Sequence, residues 1–162
     1  MIFYKIKIFI LIFFSLFINM NSFSKEIFTK NDVELFVQKA LEYINKNGKV
    51  AALKEFTNPN GDFKKGSHGE LYIFAYDFNG NVLAHGDKPK LVGYNLFHLK
   101  DPEGNYPIQK LINAVHSKDH WVKYIWINPA DKKIEKKMGY CLKVDETWWI
   151  GSGLYVTEET NK

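Results

Sequence analysis

WVKYIWINPADKKIEKKMGYCLKVDETWWIGSGLY, residues 121–155, holds all four tryptophans of the chain together with Tyr124, Tyr140 and Tyr155. Aromatic and β-branched side chains at this density are interrupted by Asn128-Pro129-Ala130-Asp131 and by Asp145-Glu146-Thr147. The pattern predicts three consecutive strands joined by turns, at 121–128, 135–144 and 148–156. Side chains alternate along a strand, so Val122, Tyr124 and Trp126 share one face, and Trp121, Lys123, Ile125 and Ile127 the other. Neither face is cleanly polar. The sheet is therefore expected to be covered on both sides, and large aromatics with polar tips point to a cover that leaves a pocket.

Upstream of this block, 70–77 and 82–85 read as a hairpin across Phe78-Asn79-Gly80-Asn81, where Asn-Gly tolerates positive φ. Leu71, Ile73 and Ala75 fall on one face, and Tyr72, Phe74 and Tyr76 on the other. The same asymmetry thus appears twice. Residues 86–107 are rich in Pro, Gly, Asn and Asp yet carry Leu91, Val92, Tyr94, Leu96, Phe97 and Leu99. A connection of this length with apolar residues reads as a functional loop packed down as a lid over the aromatic face. Ile108, Leu111, Ile112 and Val115 then place a short amphipathic helix that hands the chain to Trp121.

Toward the N-terminus, Thr29 with Asp32 resembles a capping box, and Val33, Phe36, Val37, Ala40, Leu41 and Ile44 follow at helical spacing. Asn47-Gly48 is a stop signal. A second helix over 49–56 is expected to turn Val50, Leu53 and Phe56 inward. Residues 1–24 read as a secretory signal: Lys5 and Lys7 precede an apolar run over 8–20, and Ser22-Phe23-Ser24 offers small residues for cleavage. A single domain over 25–162, in the periplasm or secreted, is the expected mature protein. No second apolar stretch follows in the sequence, so the mature chain is expected to have no membrane span and to report through a partner.

Composition excludes several classes. The formal charge of +4 includes Lys5 and Lys7, which leaves +2, too mild to argue for a nucleic-acid partner. Every basic residue counted is lysine, so any bound anion is met by lysine, tyrosine, histidine or backbone amides. Cys141 is the only cysteine, which rules out an internal disulfide. No nucleophile motif, His-Glu-x-x-His, phosphate loop or phased carboxylate pair is present, so neither enzyme activity nor a cofactor is expected. His116 and His120, with Asp119 between them, lack a third ligand fixed by spacing, and no metal site is expected there.

The pieces ALEYINKNGKVAALKEF with NPNGDF, ELYIFAYDFNGNVLAHG, LVGYNL with DPEGNY, WVKYIWINP, EKKMGY and WWIGSGLY follow one another in the order found in extracytoplasmic Cache sensor domains. The sequence resembles the single Cache, type 2, family, a relative of the PAS fold, over nearly all of residues 25–162. One departure stands out: where that family usually has a Gly before the first tryptophan, this chain has Lys118-Asp119-His120. The resemblance implies an α+β fold, a five-stranded antiparallel sheet with a long N-terminal helix behind it and a loop-helix lid over a small-molecule face. It also implies a short carboxylate or amino acid as ligand, and a membrane receptor or kinase as signalling partner.

Carried over residue by residue, the resemblance places a Lys-x-x-Tyr pattern on Lys137 and Tyr140, strand aromatics on Tyr124 and Trp126, and a polar position on His85. Tyr76, on the aromatic face of the hairpin, completes the candidate set. In that set Lys137 neutralises a carboxylate, Tyr140 and Tyr124 donate hydrogen bonds, and Trp126 forms an apolar wall. Parity sets Lys137 and Tyr140 on opposite faces of a regular strand, so both line one pocket only if a bulge intervenes. The alternative function is a protein-docking module in which the sheet face meets another periplasmic protein and no metabolite binds.

Overall fold

The computed structural model describes residues 27–156, and the predicted signal segment lies outside the described residues. Helix α1 (Lys30–Thr57) begins at the expected capping box. The Asp32 N–H donates to Thr29 Oγ1 at 3.2 Å, and the Thr29 N–H donates to the Asp32 carboxylate at 2.8 Å. Gly48, at φ 78° and ψ 165°, breaks the helix where Asn47-Gly48 reads as a stop, and the chain at once resumes a helical path to Thr57. Val33, Phe36, Val37, Ala40 and Ile44 are buried as the spacing requires. Of the three residues expected inward after Gly48, Phe56 is buried and Leu53 packs partly buried against the same core, but Val50 is 85% exposed and Ala52 is buried in its stead.

After α1, β1 (Lys64–Lys65) and β2 (Leu71–Tyr72) form a small antiparallel ribbon with no local signal in the sequence. The first hairpin strand is therefore split at Ile73, whose N–H turns to Phe63 O at 3.2 Å. The main sheet consists of β3 (Phe74–Asp77), β4 (Val82–His85), β5 (Trp121–Ile127), β6 (Ile134–Lys143) and β7 (Trp148–Tyr155). Its order is β4-β3-β7-β6-β5, antiparallel at every pairing. The expected α+β architecture, with five strands and an N-terminal helix, is the one observed.

The two faces hold separate cores. Against α1 lie Leu71, Ile73, Ala75, Met138, Tyr140, Trp148, Ile150 and Leu154. On the other face Tyr72, Phe74, Tyr76, Tyr124, Cys141 and Trp149 meet Ile108, Leu111 and Val115 of α2 (Pro107–Val115), which starts with proline at its first position.

The segment read as a lid is a fixed strap along its first half. Gly93 N–H donates to Val82 O, Val82 N–H to Tyr94 O and Leu96 N–H to Gly80 O, each at 2.9 Å. Asn95 Nδ2 adds bonds to Asn79 O and Asn81 Oδ1 at 2.8 Å. These bonds tie the strap to the hairpin and cover part of the free edge of β4. Its second half is a turn closed on Asp101, which accepts from the N–H groups of Glu103 and Asn105.

Candidate functional site

Alternation along β6 turns Gly139 and Cys141 to the α2 side together with Lys137, and Met138 and Tyr140 to the α1 side. In the ladder Lys137 stands opposite Tyr124 on β5 and opposite Tyr155 on β7. The lysine is fully buried. Its Nζ lies 3.9 Å from the centroid of the Tyr72 ring, 4.6 Å from that of Tyr155 and 5.9 Å from that of Phe74. Tyr155 Oη donates to Ile127 O at 2.7 Å and accepts from Lys137 Nζ at 3.4 Å. Tyr72 Oη lies 3.5 Å from Tyr155 Oη.

Among the described residues no carboxylate forms an ion pair with Lys137. Burial pushes its pKa down to about 7, Asp87 opposes that shift at longer range, and Lys88 adds to it. The aromatic rings offset part of the desolvation through their electron-rich faces. They do not supply a counter-ion.

His85 is 1% exposed and sits beside the cage, its ring 5.1 Å from Tyr72 and 6.0 Å from Trp126. Its Nδ1 accepts the Lys88 N–H at 3.0 Å, which assigns the proton of the neutral ring to Nε2. Burial, with Lys137 and Lys88 nearby, holds its pKa down at about 3. The imidazole is thus a neutral donor at physiological pH. Tyr76 stacks on Trp149 at 5.2 Å, and the hydroxyls of Tyr72, Tyr76 and Tyr124 are held protonated by burial.

Tyr72, Phe74, Tyr76, His85, Tyr124 and Trp126, with Ile108 and Leu111 of α2, line a small cavity. Its volume is about 10 Å³, room for roughly one water. Glycine lets the rings approach this closely: a Cβ at Gly139 would stand 2.9 Å from Tyr124 Cε1, and one at Gly151 2.6 Å from Phe74 Cε2. The Trp126 indole N–H is buried without a hydrogen-bond partner among the described residues.

Of the sequence-predicted residues, Tyr76, His85, Tyr124 and Trp126 border the cavity. Lys137 lies against two of its walls, the rings of Tyr72 and Phe74. Tyr140 is a correction. β6 runs through Lys137 and Tyr140 with continuous pairing and no bulge, so Tyr140 faces α1, where its ring packs 5.3 Å from Trp121. Tyr72 and Tyr155 complete the lysine cage and were not in the predicted set. A signal for Tyr155 was available: counting equal steps outward from Val144 and Trp148 on either side of the Asp145-Glu146-Thr147 turn brings Lys137 opposite Tyr155. The histidines before β5 are engaged elsewhere, His116 stacking on Phe78 at 5.5 Å and His120 edge-on to Tyr140 at 6.0 Å.

A family model described as Cache domain matches residues 37–160. The sensor histidine kinase MctS of Rhizobium johnstonii is 30% identical over 88 residues, which make up 54% of this chain and 19% of the kinase. The methyl-accepting chemotaxis protein CtpM of Pseudomonas aeruginosa is 30% identical over 118 residues, 68% of this chain and 21% of that protein. The match thus spans about a fifth of the length of each relative. Among solved structures, a methyl-accepting chemotaxis protein from Vibrio parahaemolyticus superposes with a TM-score of 0.69 at 27% identity, covering 80% of this chain and 89% of that one. A Cache chemosensory domain studied for its carboxylic acid recognition superposes with a TM-score of 0.64 at 25% identity, covering 78% and 92%.

Proposed function

The chain belongs to the Cache domain family, whose members here include sensor regions of a chemoreceptor and a histidine kinase, and from that premise we propose that it binds a small organic acid, a short carboxylate or an amino acid. The reading is of a non-catalytic, periplasmic or secreted sensory module that passes its state to a membrane receptor or kinase. The observation that carries it is Lys137, an ammonium fully buried among aromatic rings with no carboxylate of the described residues in ion-pairing distance. Burying an unpaired charge costs several kcal/mol, and a ligand carboxylate placed at Nζ supplies the missing counter-ion. The neutral His85 ring, which packs beside Tyr72 and carries its proton on Nε2, is a donor that can orient it. The carboxylic acid recognition attributed to one structural neighbour supports the same chemistry.

Magnitudes set what such a ligand must do. An acid of about six heavy atoms is limited to roughly −9 kcal/mol, and micromolar binding needs about −8. Nearly every atom must therefore make contact. Calorimetric titration of the protein with a panel of short carboxylates and amino acids tests the reading, with Lys137→Met as the paired variant. Binding that the variant loses by one to two decades is the expected result. A folded protein that ignores the whole panel would favour the docking-module alternative.

A further inference from the structure

A second, larger space lies on the outer side of Trp126. Leu91, Leu96 and Leu99 of the strap, Ile125 and Ile127 of the edge strand β5 and Ile134 at the start of β6 line a groove of about 280 Å³, against about 10 Å³ inside. Trp126 borders both spaces. We infer that Trp126 divides one ligand channel in two, and that the outer groove seats the apolar tail of a monocarboxylic acid whose headgroup is held at Lys137. This inference rests on the carboxylate reading above and narrows it to acids with an aliphatic tail of several carbons.

Three observations fix the occupant. The inner cavity has room for no more than a water, so an acid reaches the lysine cage only when a wall moves. The strap is the poorer mover, since three backbone hydrogen bonds and the Asn95 side chain tie it to the hairpin. Trp126 is the better one: its indole N–H has no partner to lose among the described residues, and it packs against the rings of His85 and Tyr124, with the Lys88 ammonium 5.9 Å over it. Second, the groove wall is mostly apolar, six of its twelve residues being Leu or Ile, which matches a hydrocarbon tail. Third, Leu99 and Ile134 at its rim are 41% and 57% exposed, apolar surface that a tail would cover. Lys88, Lys100 and Asp101 supply the charged part of the lining.

The test is a calorimetric series on the full chain with straight-chain monocarboxylates from acetate to octanoate. Affinity should rise about fourfold per methylene beyond the shortest acids until the groove is filled. The Leu99→Ser/Ile134→Ser double variant, altered only at exposed positions, should flatten that slope, and Lys137→Met should weaken every member of the series by about one to two decades. Affinity that falls with chain length, an unchanged slope in the double variant, or octanoate affinity unchanged by Lys137→Met would overturn the inference. Should short acids bind through Lys137 without any gain from length, the tail groove falls and the carboxylate site stands; should no acid bind, both fall.

Discussion

Lys137 Nζ lies 3.9 Å from the centroid of the Tyr72 ring, and among the described residues no carboxylate comes within ion-pairing distance of it. A cation over an aromatic face recovers about 2 kcal/mol or somewhat more when desolvated. Desolvation of the ammonium costs more than that, as the depressed pKa records. Stability is therefore sacrificed at this position, and Lys137→Met, which keeps the length of the stem and removes the charge, should stabilise the ligand-free protein by about 1–4 kcal/mol at pH 6–7. Urea denaturation measures it. A destabilised variant would mean that the lysine is a structural element.

The same group ties binding and stability to pH with opposite signs. In the folded protein Lys137 titrates near 7, against 10.5 when free, so between those values the unfolded chain holds more protons. Stability of the ligand-free protein should therefore rise with pH across this window, its penalty fully present below about pH 7. A carboxylate prefers the charged lysine, so acid affinity should be highest at or below neutrality and fall toward tenfold per pH unit above it. Denaturation and titration at pH 6, 7, 8 and 9 check both slopes. Parallel slopes, or slopes that persist in Lys137→Met, would assign the effect to other groups.

Much of the fold follows from local pattern. The Thr29–Asp32 cap, the helical stripe to Ile44, the Gly80 turn with φ 83°, and the three closing strands are each set by residues near in sequence, and each stands within a residue or so of its expected position. What local pattern does not hold is how faces are shared between distant strands. Parity already separates Lys137 from Tyr140, and the uninterrupted β6–β7 ladder keeps them apart. Tyr72 joins the lysine cage only because β3 pairs with β7 across the middle of the sheet, a long-range choice that no spacing in either segment announces. The strap likewise reads as a lid until its backbone bonds to Gly80 and Val82 are seen.

His120 holds φ at 61°, the left-handed region that favours glycine, directly before Trp121. Its Nδ1 is also buried without a partner among the described residues. The position coincides with the departure noted in the sequence, where related domains usually carry glycine. His120→Gly removes the Cβ strain and the orphaned nitrogen, at the loss of the ring contact with Tyr140 and some unfolded-state entropy. The net expectation is a gain of about 0.5–1 kcal/mol, read as a higher Tm with acid binding retained. A lower Tm would show that the Tyr140 contact outweighs the backbone strain.

Tyr155 links the lysine to the edge of the sheet, donating to Ile127 O at 2.7 Å while its oxygen faces Lys137 Nζ at 3.4 Å. Tyr155→Phe keeps the ring at 4.6 Å from the ammonium and removes only the hydroxyl, leaving Ile127 O without its donor and the lysine without this acceptor. Two consequences separate a binding role from a structural one. Stability should fall by about 1–2 kcal/mol through the unsatisfied carbonyl. The charged lysine, less well solvated, should titrate lower, so the pH above which acid affinity declines should move below neutrality, with affinity at pH 7 down roughly three- to tenfold. Calorimetry across pH detects the displacement. A stability loss with an unmoved affinity profile would leave Tyr155 as a strand anchor and take its hydroxyl out of the site.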